Sequence, residues 1–546
     1  MWPGLEVRGM DVLEAEVVIV GSGLAGLSAA LTVGEGGRQV VLLTDAAGGG
    51  SSGASAMSGG NFRAPGPEYA SEDMYLDIIR GGAYLPQRST VRVLVEDAPT
   101  VRAFLSRYEV ETSDTPTGFR AFPGASAPGR SLVDCLEQAL PDTVTKVPGL
   151  AWEALLGRDG SVEGLLAFDR EKAGWFVIAS SRVILATGGA SGIYRYTDNS
   201  LGATGDGVAL AFRAGAPLAD MEFVQFWPLA VVQPGGRGRC TCLGPAEMSR
   251  GTLLDGRGRD ITGKVGLRGL ADGSSDPSRV SRLIYEETAS ASGPGRDGTA
   301  PEDVPLRLLP GGGSPRTSGG SALPVTCAAH HTMGGVICGD HGQTRIPGLL
   351  VAGEVAAGAH GASRLSGMGL TEAVVRGRRA GSLVLTSLTS RGAGAGVPAS
   401  ELARQGRAKI QGVSALLEAD DPEAIRPHEA RHRIAEAMWR HVALVRSRDS
   451  LDAAQSEINK IKRALPLNVD LSDGTEVYEG LKVLNLLLVA EAITRSARYR
   501  RESRGVHYRS DFPGLDEAEG LRHVRVKLLA GEMSLEVSQG LELMEP

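Results

Sequence analysis

Apolar and polar positions follow three rhythms along the chain. Near the start, "EVVIVGSGLAGLSAALTVGEGGRQVVLLTDA" reads as an apolar strand, a glycine turn, an alanine-rich helix and a second apolar strand, which predicts a βαβ unit. "SRVILATGGASG", Ser181 to Gly192, is another strand running into a tight turn. From about Ala399 the rhythm turns helical: Ile434, Met438, Val442 and Val445 fall on one face, and Leu451, Ala454, Ile458, Ile461 and Leu465 on another. Between about Pro228 and Ala322 periodicity lapses and Gly, Ser, Pro and Arg dominate, as suits an inserted segment that closes over a site.

The first turn carries chemistry. Gly21, Gly23 and Gly26 form G-x-G-x-x-G directly between strand and helix, so backbone amides and the helix N-terminus can face a pyrophosphate. At the end of the second strand, Thr44 or Asp45 falls where a ribose ligand is expected. An FAD or NAD site follows from this context. Thr187 and Gly188, in "ATGG", would let the chain pass close to a flat ligand or its phosphates.

Composition narrows the classes. With 546 residues, two or three domains are expected, enough to bury a large cofactor. A net charge of -7 and the lack of a Lys/Arg-dense run exclude nucleic acid as an expected partner. "VLNLLLVAEAI" is too short to span a bilayer, and the acidic N-terminal stretch reads as neither signal nor transit peptide. Five scattered cysteines without a C-x-x-C suit a reducing cytoplasm and suggest no iron-sulfur or haem centre. The adjacent pair His330 and His331 has no third ligand spaced for a metal, so no metal is expected there.

Four later stretches, "TGDGVALAFRAGAPLADMEFVQFWP", "HHTMGGV", "GLLVAGEVAAGAHGASRLSGMGLTEAVVRGRRAG" and "RESRGVHYRSDFP", together resemble the flavoprotein family of fumarate reductase, succinate dehydrogenase and L-aspartate oxidase. The resemblance spans nearly the whole chain. It implies an α/β fold: a Rossmann-like FAD-binding domain over 1–227 and 323–390, interrupted by an α+β capping domain over 228–322, then a helical domain over 399–546. It also implies FAD contacts. Gly21, Gly23, Gly26 and Thr44 would take the pyrophosphate and ribose, and Ser58, Gly59 and Gly60 would run along the flavin. Asp206 and Glu354 would lie near the ribityl chain or sugar, and Ser366 to Leu370 would cross the pyrimidine end, where amides stabilise the charge of reduced flavin. Respiratory members attach FAD through a histidine; Gly53 stands in its place, so FAD is expected to be non-covalent.

The same resemblance assigns the substrate site. Arg364 matches the arginine that clamps a substrate carboxylate, and His330 the histidine that shares the task. His331 stands where tyrosine is common and is read as a packing neighbour, with His360 a further candidate beside the site. Glu247 and Arg250 match members of a proton relay, but Pro277 stands where its terminal arginine belongs, leaving Arg279 or Arg282 as substitutes. Trp227 replaces a carboxylate-binding histidine and Leu229 a threonine. These departures point to hydride transfer between flavin N5 and a small carboxylate-bearing substrate other than plain succinate or fumarate, with O2 or a separate redox partner as electron acceptor. The alternatives are oxidation of an amino acid or other C-N or N-N compound, as in L-aspartate oxidase, and a catalytically silent flavoprotein subunit.

Overall fold

In the computed structural model the described residues are 5–6, 10–45, 53–232, 238–271, 275–291, 306–310, 322–390, 397–419, 421, 423–529 and 531–541. The βαβ unit forms as expected. Val17–Val20 and Val40–Thr44 pair in parallel around the helix Leu24–Glu35, inside a five-stranded parallel sheet ordered Leu349–Val351, Val183–Leu185, Val17–Val20, Val40–Thr44, Val144–Pro148. Strands buried on both faces are continuous apolar runs, and Val17 to Ile19 and Val40 to Leu43 have no exposed surface. The helix Met368–Ser390 lies against Leu24–Glu35 at a spacing that only small residues allow: a Cβ on Gly377 would come within 2.3 Å of the Ala25 carbonyl oxygen.

A meander of Leu150–Leu156, Val162–Asp169 and Gly174–Ala179 covers one side, with Asp11–Glu14 added in parallel. A six-stranded sheet then carries the site wall, ordered Tyr196–Thr197, Gly238–Cys242, Val224–Val232, Leu323–Thr332, Leu306–Leu309, Thr252–Leu254. Its two central strands, Val224–Val232 and Leu323–Thr332, are antiparallel neighbours. A domain boundary at 228 therefore cuts through a strand, because the inserted segment leaves and re-enters through one continuous sheet. Short helices Pro245–Arg250 and Thr262–Val265 and the longer Pro277–Ala291 complete the segment.

Helices Pro427–Val442, Arg448–Arg463 and Gly474–Tyr499 bundle through Ile434, Met438, Leu451, Ala454, Ile458 and Ile461, all buried. They end before Val445 and Leu465, which continue the apolar pattern in non-helical backbone. The tail is not wholly helical. His523–Leu529 and Glu532–Ser538 form a hairpin, and the first of these strands pairs with Leu218–Ala219, so the end of the chain returns to the sheet region. No described helix is long and apolar enough to cross a membrane.

Candidate active site

The glycine turn has the shape a dinucleotide requires. Gly21 has φ +105°, and a Cβ there would meet the Ala186 carbonyl oxygen at 2.4 Å; one on Gly26 would meet the Gly21 oxygen at 1.8 Å. Gly23 caps the helix, and the nearest atom to a Cβ on it is Ser55 Oγ at 3.5 Å. Two of the three glycines thus serve close packing, while beside the third the first helix amide, Leu24 N–H, donates to Ser55 Oγ at 3.0 Å. Ser22 Oγ and Thr44 Oγ1 are 3.0 Å apart, joining the turn to the end of the strand Val40–Thr44. Gly188 has φ +75° with nothing within 4 Å of a Cβ, and the neighbouring Thr187 Oγ1 is buried without a hydrogen-bond partner. A second helix, Met368–Ser390, begins beside Ser366 and Gly367, so Leu370 lies in its first turn. Gly60, at φ +75°, and Ser58 are locked against the helix Pro128–Gln138, with Gly129 N–H donating to the Ser58 carbonyl at 3.1 Å, while Arg120 Nε donates to the Gly59 carbonyl at 3.1 Å. Open glycines, two helix N-termini and an orphaned hydroxyl fit FAD.

The wall that carries His330 is built on a bulge. Gln225 pairs with His331 and Phe226 with Ala329, leaving His330 as the extra residue on its strand. Bulges re-aim side chains. Here the bulge sets the His330 ring between a carboxylate and a cation: Nδ1 lies 2.5 Å from Asp198 Oδ2, and Nε2 lies 2.7 Å from Arg364 Nη2. Cys242 Sγ donates to the same Asp198 oxygen at 2.6 Å, and Asn199 Nδ2 to the His330 carbonyl at 2.6 Å. Trp227 covers the ring, centroids 5.2 Å apart, its Nε1 tied to the Leu243 carbonyl at 2.8 Å. Gln225 Nε2 donates to the Arg364 carbonyl at 3.0 Å. Sequence reasoning missed Asp198 and Cys242; the one trace of Asp198 is its place in "YRYTDNS", just ahead of a matched motif.

Behind this wall lies a second polar layer. His331 is buried, its Nδ1 3.5 Å from Glu354 Oε2 and its Nε2 without a partner. Burial, with Arg364, His360 and His330 nearby, pushes its pKa well below the usual histidine range, so the ring is neutral. Burial likewise raises the Glu354 carboxyl to about 7, against hydrogen bonds from the Thr332 amide (2.9 Å) and hydroxyl (3.1 Å). His360 stacks edge-on against His331 and bonds Glu372 at 2.8 Å, which in turn pairs with Arg376 at 3.0 Å. His360 therefore supports the wall from behind.

Several expected residues are held by contacts of their own. Glu247 caps its own helix, Oε2 accepting the Gly244 amide at 2.9 Å, and Arg250 is exposed. Pro277 is the first residue of its helix, which Asp276 caps by accepting the Ser278 and Arg279 amides at 3.1 and 3.3 Å. Arg279 is exposed, and with Arg282, Val224 and Phe226 it lines a cavity of about 220 Å³. Successive strand residues point to opposite faces, so this cavity lies across the strand from Gln225 and Trp227. Arg279 is thus separated from His330 by a sheet. Leu229 is fully buried in the core. Asp206 bonds Lys482 at 2.6 Å and Asn485 at 2.7 Å, which ties it to the tail helix; Asp45 bonds the same lysine at 2.7 Å.

Comparison with known proteins identifies the chain's relatives. Residues 16–296 and 318–370 match the family described as FAD binding domain, and residues 431–539 match fumarate reductase flavoprotein C-term. The chain is 32% identical to one of the subunits of the fumarate reductase (CoM/CoB) of Methanothermobacter marburgensis, covering 92% of this chain and 95% of that one. It is also 32% identical to L-aspartate oxidase of Agrobacterium fabrum, covering 91% of each. Among solved structures, a quinol-fumarate reductase chain superposes with a TM-score of 0.82 at 23% identity, over 98% of this chain and all of that one.

Proposed function

Since the chain belongs to the FAD-dependent flavoprotein family of fumarate reductase and L-aspartate oxidase, we propose that this oxidoreductase moves hydride between non-covalently held FAD and a substrate with one carboxylate and an apolar end. FAD supplies the hydride acceptor or donor when bound. Arg364 grips the carboxylate through its planar pair of N–H groups, a geometry lysine lacks. The observation that carries the reading is Trp227: its indole covers His330 and its only polar atom is committed to the Leu243 carbonyl. A second carboxylate set against that face would be desolvated without a partner, at a cost of several kcal/mol. By the resemblance, Gly53, which has no side chain, corresponds to the histidine that carries a covalent link in respiratory members. The reduced cofactor would pass its electrons to O2 or to a separate redox partner.

The test is anaerobic bleaching of the bound flavin by a panel of carboxylates and amino acids. Monocarboxylates with an apolar or aromatic end should reduce it faster than succinate or L-aspartate, and Arg364→Ala should abolish the effect. Bleaching by L-aspartate with release of an imino acid, while monocarboxylates do nothing, would replace this reading with an L-aspartate oxidase activity.

A further inference from the structure

We propose that Asp198 and His330 form the acid/base of this enzyme, His330 Nε2 exchanging the proton with substrate and Asp198 holding the ring for it. The inference rests on the hydride-transfer reading above and reassigns His330 from carboxylate clamp to proton carrier. Removal of hydride from one substrate atom requires loss of a proton from its neighbour, and a group must take that proton. The chain has proline at the usual acid position, Arg250 is exposed, and Arg279 lies across a strand from the site. The dyad is already in place on the correct side.

Its geometry fixes the tautomer. The 2.5 Å contact to a carboxylate puts a proton on Nδ1, so Nε2 carries the lone pair and accepts from Arg364 Nη2 at 2.7 Å. A substrate carboxylate draws the guanidinium to itself and frees that lone pair next to the bound molecule. The bond from hydrogen to the substrate atom α to the carboxylate then breaks, its proton goes to Nε2, and its electron pair forms the new double bond as hydride leaves the neighbouring atom for the flavin, which is reduced. In reverse, the imidazolium returns the proton. Asp198 is only 7% exposed, and in that low-dielectric setting its carboxylate is placed to offset the charge the ring acquires once Nε2 has taken the proton. Cys242 donates its thiol proton to the same oxygen at 2.6 Å. That bond fixes the carboxylate's orientation and favours keeping the shared proton on the ring. The charged or titratable groups around His330 are Asp198, Cys242, Arg364, Glu354 and His331. A metal among Asp198, Cys242 and His330 is disfavoured: ligands of one tetrahedral zinc stand about 3.5 Å apart, whereas His330 Nδ1 and Cys242 Sγ lie 2.5 and 2.6 Å from the same Asp198 oxygen.

The experiment has two arms on the FAD-loaded protein. In the first, proton NMR of histidine-labelled protein without substrate should show a resonance far downfield of the amides, lost in Asp198→Asn and His330→Asn and kept in Asp198→Glu. Its absence from the wild type, or its survival in Asp198→Asn, overturns the dyad whatever the substrate. In the second, stopped-flow flavin reduction by the best monocarboxylate of the panel should slow about 10²–10⁴-fold in Asp198→Asn, with substrate Kd changing less than threefold and Asp198→Glu recovering part of the rate. An unchanged rate, or a rate and a Kd that fail together, overturns the proton role. A panel in which nothing reduces the flavin sinks the substrate reading and with it the proton role, while the first arm still decides whether the dyad exists.

Discussion

Gly505 sits so close to Ala362 that a Cβ on it would come within 2.2 Å of the Ala362 carbonyl oxygen, and that oxygen accepts the next amide, Val506 N–H, at 3.0 Å. Ala362 is two residues before Arg364. The "RESRGVHYRSDFP" segment is therefore the brace behind the loop that carries Arg364, and its glycine, at φ +53°, is required by both contact and conformation.

Gly505→Ala is expected to cost about 1–3 kcal/mol of stability and to weaken carboxylate binding tenfold or more by moving Arg364. Thermal unfolding and perturbation of the flavin spectrum by a carboxylate inhibitor report the two effects. Unchanged values in both would show that the brace does not position the loop.

Lys482 is 1% exposed and pairs with Asp45 and Asp206, joining the tail helix to the end of the strand Val40–Thr44 and to the helix Asp206–Arg213. Lys482→Met leaves two carboxylates facing each other and should destabilise by about 3 kcal/mol. Adding Asp206→Asn should recover part of the loss in urea unfolding; a double variant no better than the single one contradicts the pairing.

The Glu354 carboxyl, held at about 7 by burial against an ordinary 4.5, binds its proton more tightly in the folded protein than in the unfolded chain. Its contribution to stability is complete below pH 4.5 and is lost as pH rises through 7, a loss of about 3 kcal/mol. Subtracting the stability profile of Glu354→Gln from that of the wild type should isolate this falling limb. A flat difference between pH 4.5 and 7 would mean that Glu354 ionises normally.

Trp227→His places a polar ring where the indole now covers His330. The ratio of kcat/KM for dicarboxylates over monocarboxylates should rise about 100-fold, the scale of one charge-assisted hydrogen bond of 1.5–3 kcal/mol. An unchanged ratio would move the specificity determinant elsewhere.

Local pattern alone determined the βαβ unit, the glycine turn and the buried faces of the tail helices. Each depends on residues within one or two turns of each other, so spacing and side-chain size suffice. Motif resemblance supplied Arg364 and His330 and flagged Trp227 and Pro277 as departures. The tertiary structure decided what no spacing encodes. It showed that Glu247 caps a helix, that Arg279 faces away across a strand, and that the chain's end returns as a hairpin beside Leu218–Ala219. Above all it brought Cys242 and Asp198, the latter 132 residues earlier in the chain, to His330. A one-residue bulge turns that histidine toward them, and hydrogen-bond contacts between segments so distant in sequence exist only once the sheet has closed.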